Sequence, residues 1–436
     1  MALSQLSRLR EIARANAPAA PPRRELTYEP VDANGLPFDA RLPAVDLNGA
    51  RLEQSEYGTC LVIEHLFEAD RSHGRVVVRE CAGVCLDETL DLLAGRALGA
   101  GRSAADSPPR LVYFDLETTG LSGGAGTVAF LAGVGEWMPD GFRTTQYLLP
   151  SYAGERAMLH ALNAYLGESA VLVTYNGRTF DVPVMEVRGE MHRVPQTVCR
   201  MPHLDMLHAA RRLWRSSDQG DRSCRLVHLE ESVLGVGRIG DVPGVEIPGR
   251  YFEFVRGGSA QALEPVLLHN RLDLLSLAAL TVHAQRLVRD GRDAAPTGSV
   301  AYGLGALYER AGWQDAAERS YRVAAEDAWQ PREVRRASAR ALARLLRRQR
   351  QHPAAAAAWQ LVLQLGGRPQ LLREAREALA IHHEHRAGQL GEARRHAIAG
   401  VEDAIGRSDR DRFNRRLARL ERKMARANLG PPLWND

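Results

Sequence analysis

Between residues 111 and 175 the chain alternates short apolar runs with polar turns. LVYFDL, beginning at Leu111, is a run of the length and type that predicts a buried strand. TVAFLAGVGEW and FRTTQYLL predict two more strands, set apart by GLSGGAG and MPDG, so the three form a meander. Apolar positions at helical spacing predict a helix over Gly154–Leu166, and Ala170–Tyr175 predicts a fourth strand. A helix follows at once from about Asp181. His203–Leu207 is a short fifth strand and Ala262–Val288 a long helix. The order βββαβα with later βα elements predicts a mixed five-stranded α/β sheet with helices on both faces.

The flanking segments read differently. Residues 1–24 end in ANAPAAPPRR, a flexible Pro/Ala stretch. Residues 25–105 predict a small α+β region, with strands at Thr59–Phe67 and Arg75–Arg79 and a helix near Asp87–Leu98. GAGRSAADSPPR then reads as a linker, and residues 106–292 are the expected extent of the α/β domain. After Pro296 the pattern is purely helical. Ala317, Ala355 and Ala393 recur at intervals of 38 within YERAGWQDAAERSY, LRRQRQHPAAAAAW and HHEHRAGQLGEARRH. Small residues at a fixed place in paired helices let the helices approach closely, as in helical repeat arrays. The first copy resembles a tetratricopeptide repeat at Leu304, Gly305, Tyr308, Ala317, Tyr321 and Ala324, with Pro331 at its end. Residues 298–436 are therefore expected to form an all-α repeat domain, closed by a basic capping helix over Asp409–Ala427.

Composition narrows the class. A chain of 436 residues exceeds one ordinary core and predicts two or three domains. No apolar run reaches the roughly 20 residues of a membrane span, and the arginine-bearing N-terminus lacks a secretory apolar stretch. The expected location is the cytoplasm. Cys60, Cys81, Cys85, Cys199 and Cys224 are odd in number and lack zinc spacing, so they read as ordinary thiols. The net charge of +4 is unevenly placed. Residues 298–436 carry 26 Lys+Arg against 16 Asp+Glu, a balance of +10, and residues 1–297 carry −6. The basic tail suits nucleic acid or an acidic partner, or simply a solvated helical surface.

Three segments carry candidate chemistry. In LVYFDLETTG, Asp115 and Glu117 alternate with Leu116, so both point to one face of a strand. Side-by-side carboxylates repel and are tolerable where they hold divalent cations, which want hard oxygen ligands. In VLVTYNGRTFDVP, Asp181 opens a helix after a strand; alone it reads as an N-cap. In LLHNRLDLLSL, Asp273 interrupts an apolar helical run with His269 four residues earlier on the same face.

Together these segments resemble the DEDD family of 3′–5′ exonucleases, whose pattern is Asp-x-Glu, Asn-x-x-x-Phe-Asp, and a final Asp preceded by Tyr or His. Here these are Asp115-Leu-Glu117, Asn176 to Phe180-Asp181, and His269-x-x-x-Asp273. The resemblance spans about Leu111–Leu287. DLETTGLSGGAGTVAFLAGVGEW, CRLVHLEESVLG and DVPGVEIP are similar, more closely, to a predicted bacterial exonuclease family with a ribonuclease-H-like domain and, in some members, a helical-repeat tail. His269 stands at the spacing where the Tyr branch has tyrosine; the His branch places it one residue further away. The resemblance implies a ribonuclease-H-like fold and 3′–5′ hydrolysis of nucleic acid by two Mg²⁺ or Mn²⁺ ions. It implies Asp115, Glu117, Asp181 and Asp273 as ligands and His269 as the residue that orients or deprotonates water. It also implies Thr118 and Asn176 as contacts to the terminal nucleotide. Because such a site must thread a free 3′ terminus, single-stranded 3′ ends are the expected substrate. The alternatives are an inactive nuclease-like domain that binds nucleic acid, or an adaptor whose repeats take a protein partner.

Overall fold

The computed structural model describes residues 47, 49–98, 110–120, 126–167, 170–215 and 224–428. The expected Pro/Ala segment at 1–24, the linker before Arg110 and most of the Gly-rich turn after Gly120 lie outside these residues. The five expected strands form: β5 (Arg110–Thr118), β6 (Ala129–Met138), β7 (Gly141–Leu148), β8 (Ala170–Thr174) and β9 (His203–Asp205). Two earlier strands, β1 (Ala50–Ser55) and β2 (Gly58–Glu68), extend the sheet beyond β7. The order is β1-β2-β7-β6-β5-β8-β9. The first five neighbours in that row pair antiparallel, while β5–β8 and β8–β9 are parallel. The N-terminal region thus contributes strands to the sheet itself, because the β2 edge pairs with β7 over Leu61–Glu68. Around Arg75 only a two-residue ladder forms (β3, Ser72–His73; β4, Val76–Val77).

Helices cover both faces, in keeping with an α/β ribonuclease-H-like fold. Val112, Phe114 and Leu116 of β5 point into one apolar layer with α2 (Glu155–Leu166), α3 (Asp181–His192) and α6 (Ile247–Val255). Tyr113 points the other way, into a layer with α1 (Glu88–Ala94), α4 (Met206–Leu213) and the long helix α7 (Glu264–Asp290). Asp115 and Glu117 share the Tyr113 face by the period of two, so they lie under α7. The segment α5 (Leu226–Leu229) runs on as a π-type turn, Glu230–Leu234, that ends at left-handed Gly235.

The remainder is all helical: α8 (Gly298–Ala311), α9 (Gln314–Glu326), α10 (Arg332–Arg348), α11 (His352–Leu365), α12 (Pro369–His385), α13 (Leu390–Glu402) and α14 (Arg407–Asn428). The second helix of each pair begins at 314, 352 and 390, three residues before the repeated alanine. Ala317, Ala355 and Ala393 are all buried, as close helix packing requires. The helical region is seated on the α/β part. Gly303 lies against the backbone of Arg212 where a side chain would collide, and the Tyr308 hydroxyl donates to the Val288 carbonyl at 2.7 Å. One apolar layer runs from Phe67 through Leu277 to Leu379.

Much of the basic charge is neutralised internally. The buried carboxylate of Glu384 accepts from Arg416, Arg419 and Lys423 of α14, at 2.7–2.9 Å. Burial alone would raise the Glu384 pKa, but Arg419 and Lys423 more than reverse this and hold it down at about 2. A depressed carboxyl stabilises the fold above its ordinary pKa and loses that contribution as pH falls through its folded value. Glu384→Gln should therefore cost about 1–3 kcal/mol at neutral pH, with the gap to wild type closing between pH 5 and about 2. Chemical unfolding across that range checks it.

Candidate active site

The site is built on a row of residues that face one another across three strands. Asp115 of β5 is paired with Gly133 of β6, and Gly133 with Gln146 of β7. All three lie under α7. A Cβ at Gly133 would collide with the Asn270 side chain, so the missing side chain is what lets α7 approach the sheet. Asn270 is fully buried in the space this leaves. Its Nδ2 donates to Asp115 Oδ2 at 2.8 Å, and its Oδ1 accepts from Gln146 Nε2 at 2.8 Å. Gln146 Nε2 also donates to the Leu267 carbonyl at 2.9 Å, and Gln146 Oε1 accepts from Arg271 Nε at 2.7 Å. Asp273 follows Asn270 by three residues on α7, on the same helix face.

Asp181 arrives from the other side. It opens α3, and rather than capping its own helix its Oδ1 accepts from the Leu116 N–H at 3.2 Å. It is buried. The loop before it is held by Asp205, whose carboxylate accepts from the N–H groups of Asn176 (2.8 Å), Arg178 (3.1 Å) and Leu207 (3.1 Å). Asp205 thus caps α4 and pins the loop that delivers Asp181. Asn176 sits exposed in that loop at φ 68°, a left-handed position that asparagine tolerates. Thr118 ends β5 beside a register irregularity, its hydroxyl donating to the Gly120 carbonyl at 2.8 Å.

The four sequence-predicted acids therefore converge, and the electrostatics say so. Burial raises the Asp115 carboxyl well above the usual range, and the charges of Asp273, Glu117 and Asp181 raise it further. Burial likewise raises Glu117, with Asp273, Asp181 and Asp241 adding to it and Arg238 opposing. Asp181 is pushed up to about 7 by burial, with Asp205 adding, against backbone N–H groups that favour its charged form. Such a cluster carries an excess of negative charge, which Arg238 offsets only in part. Its donors are hard oxygens, so the residues fit a divalent ion such as Mg²⁺ or Mn²⁺. Among the described residues no group of three or more His, Cys, Asp or Glu side chains is, as it stands, gathered closely enough to hold a metal ion.

His269 lies beside Asp273, as its spacing predicts, with Nε2 at 3.8 Å from Asp273 Oδ2. Its Nδ1 faces Asp241 Oδ1 at 2.7 Å. Arg238 completes the group. It pairs with both Glu230 and Asp273, and with Asp241 Oδ2 at 3.1 Å. Arg238, Asp241, Glu230 and Asn270 are not legible as site residues from spacing. The first three fall in CRLVHLEESVLG and DVPGVEIP or just between them, so the similarity of those segments was the available signal.

Two comparisons bear on this geometry. Residues 112–285 match the RNase_H superfamily. The uncharacterized protein YprB of Bacillus subtilis (strain 168) is 30% identical over 378 residues, covering 85% of this chain and 87% of that protein. The chain belongs to the YprB family. Its ribonuclease-H-like domain places this YprB-family chain among nuclease-type folds that act on nucleic acid. Among the described residues, no helix is long and apolar enough to cross a membrane.

Two stability measurements follow from the site. A carboxyl whose pKa is raised by folding is a liability once ionised, so stability is highest below its ordinary pKa and falls as pH climbs to the folded value. In metal-free protein, Asp181→Asn should melt a few degrees above wild type at pH 8, with the difference gone near pH 4. Gly133→Ala should cost about 1–3 kcal/mol by forcing Asn270 aside. Gly244→Ala, at a position with open space around it, should be nearly neutral in the same unfolding assay.

Proposed function

We propose that the chain is a metal-dependent 3′–5′ exonuclease that hydrolyses phosphodiester bonds at single-stranded 3′ ends. The observation that carries this reading is the convergence of Asp115 and Glu117 from β5 with Asp181, which reaches back to the Leu116 N–H, and with Asp273, one helix turn from the Asn270 that holds Asp115. Asp115, Glu117, Asp181 and Asp273 would hold two Mg²⁺ or Mn²⁺ ions. When bound, such ions supply the positive charge that a phosphodiester transition state demands and lower the pKa of water.

The chain's own residues do the rest. Asn270 fixes the Asp115 carboxylate from above, and the Leu116 N–H fixes that of Asp181. Asp241 faces His269 Nδ1 and sets the ring so that Nε2 turns toward Asp273, where it takes a proton from the attacking water. Thr118 and Asn176 line the rim and contact the terminal nucleotide. Residues 106–292 form the nuclease domain in this reading. Residues 298–436 are tetratricopeptide-like repeats offering a surface to a protein partner in the cytoplasm.

A second reading, an inactive nuclease-like domain that binds nucleic acid, is favoured by one observation: Asp273 is already paired with Arg238. Single strands of DNA and RNA labelled at the 3′ end, incubated with Mn²⁺, separate the two. The exonuclease reading expects metal-dependent release of 3′ label, and a loss on the order of 10²-fold or more in Asp115→Asn. Intact label with the wild-type protein selects the second reading, and internal fragments instead of stepwise 3′ shortening identify an endonuclease.

A further inference from the structure

Arg238 stands among the acids of the site. Its guanidinium touches Glu230, Asp273 and Asp241, and its Nη1 lies 3.4 Å from His269 Nδ1. The side chain is only 5% exposed, and Glu230 is fully buried. The Arg238 Nε has no hydrogen-bond partner. A guanidinium with this many acidic neighbours is held as a charge, not by packing.

The loop that carries it supports that view. Gly235 and Gly240 flank Arg238 at φ 68° and 74°. No atom would meet a Cβ at Gly237, Gly240 or Gly244. The adjacent Ile239 is wholly exposed, as is most of Val245. The loop is tied down by Arg238, Asp241 and the buried Val242, and at its start by the Val236 N–H donating to the Glu230 carbonyl at 2.8 Å. Ion pairs that another cation can replace thus help to set its position.

We propose that Arg238 is a resident cation that competes with a divalent ion for the Asp273 carboxylate, with Glu230 as the anchor that shares it. The inference rests on the carboxylate cluster being an ion site, as in the proposed function. A guanidinium hydrogen-bonded to Asp273 Oδ1 occupies an oxygen that an ion would need, and two cations at that spacing repel strongly. Glu230 draws the same Nη2 away from Asp273. Without Glu230's charge, Arg238 belongs to Asp273 more completely. The two residues thus act on ion binding with opposite sign.

The test is Mn²⁺ binding to the full, metal-free chain, measured by titration with paramagnetic resonance of the free ion, with no substrate present. Arg238→Gln should bind Mn²⁺ at least tenfold more tightly than wild type. Glu230→Gln should bind it more weakly, and lose that effect in the Arg238→Gln background. A merely structural role would weaken binding in both variants. Should Arg238→Gln misfold, the similarly sized neutral Arg238→Met replaces it, since only the proposal expects loss of this cation to tighten Mn²⁺ binding. Unchanged or weaker binding by a folded Arg238→Gln, or tighter binding by Glu230→Gln, overturns the proposal. Asp115→Asn separates the two layers of the argument. If it abolishes Mn²⁺ binding while Arg238→Gln leaves it unchanged, only the competition falls; if it binds Mn²⁺ as wild type does, the ion site falls and the competition with it.

Discussion

The arrangement depends on how closely one helix can approach one sheet. Over most of its length α7 packs on the sheet through Leu274, Leu275, Leu277 and Ala278, as any covering helix would. At Gly133 the side-chain layer is missing, and Asn270 drops into the gap to meet Asp115 and Gln146. This wedge links the middle strand, its two neighbours and the helix in a single buried polar network. Every member of that network has a partner, which is the condition under which buried polarity rigidifies a core rather than weakening it. Asp115 is oriented before any ligand arrives, and Asp273 is delivered by the same helix turn.

Against this frame, the acids on regular elements were readable beforehand. Alternation along β5 put Asp115 and Glu117 on one face, and helical spacing put His269 beside Asp273. The five strands carried strong apolar patterns and formed where those patterns lay. Arg238 and Asp241 sit in a glycine-rich loop with no period, so no spacing rule could aim them at a site some thirty residues onward. Asp181 read alone as a cap; only the fold reveals that it reaches back to the Leu116 N–H. The joining of β1 and β2 to the sheet was hidden for a related reason. Pairing between Leu61 and Leu148 spans most of a domain, and a local pattern identifies a strand without naming its neighbour.

The basic tail gives a contrasting lesson about charge. Its excess of arginine suited a polyanion, yet many of those side chains close ion pairs between successive helices. Arg340 and Arg344 meet Glu374, Arg412 meets Glu377, and Glu384 gathers three cations from α14. In a stack where many buried positions are alanine, such cross-links add contacts that small apolar side chains lack. Charge counted along a sequence is an upper bound on charge offered to a partner.

Gly303 gives the helical tail a further meaning. The α8 backbone rests directly on that of Arg212, and Tyr308 is fastened to the end of α7, so the base of the stack is held at two points. It behaves as a bracket bolted to the platform that carries the acids. A molecule that gripped the outer turns would stand at a bearing from the cleft that these contacts set, since α7, to whose end Tyr308 is fastened, is also the helix that carries Asn270 and Asp273.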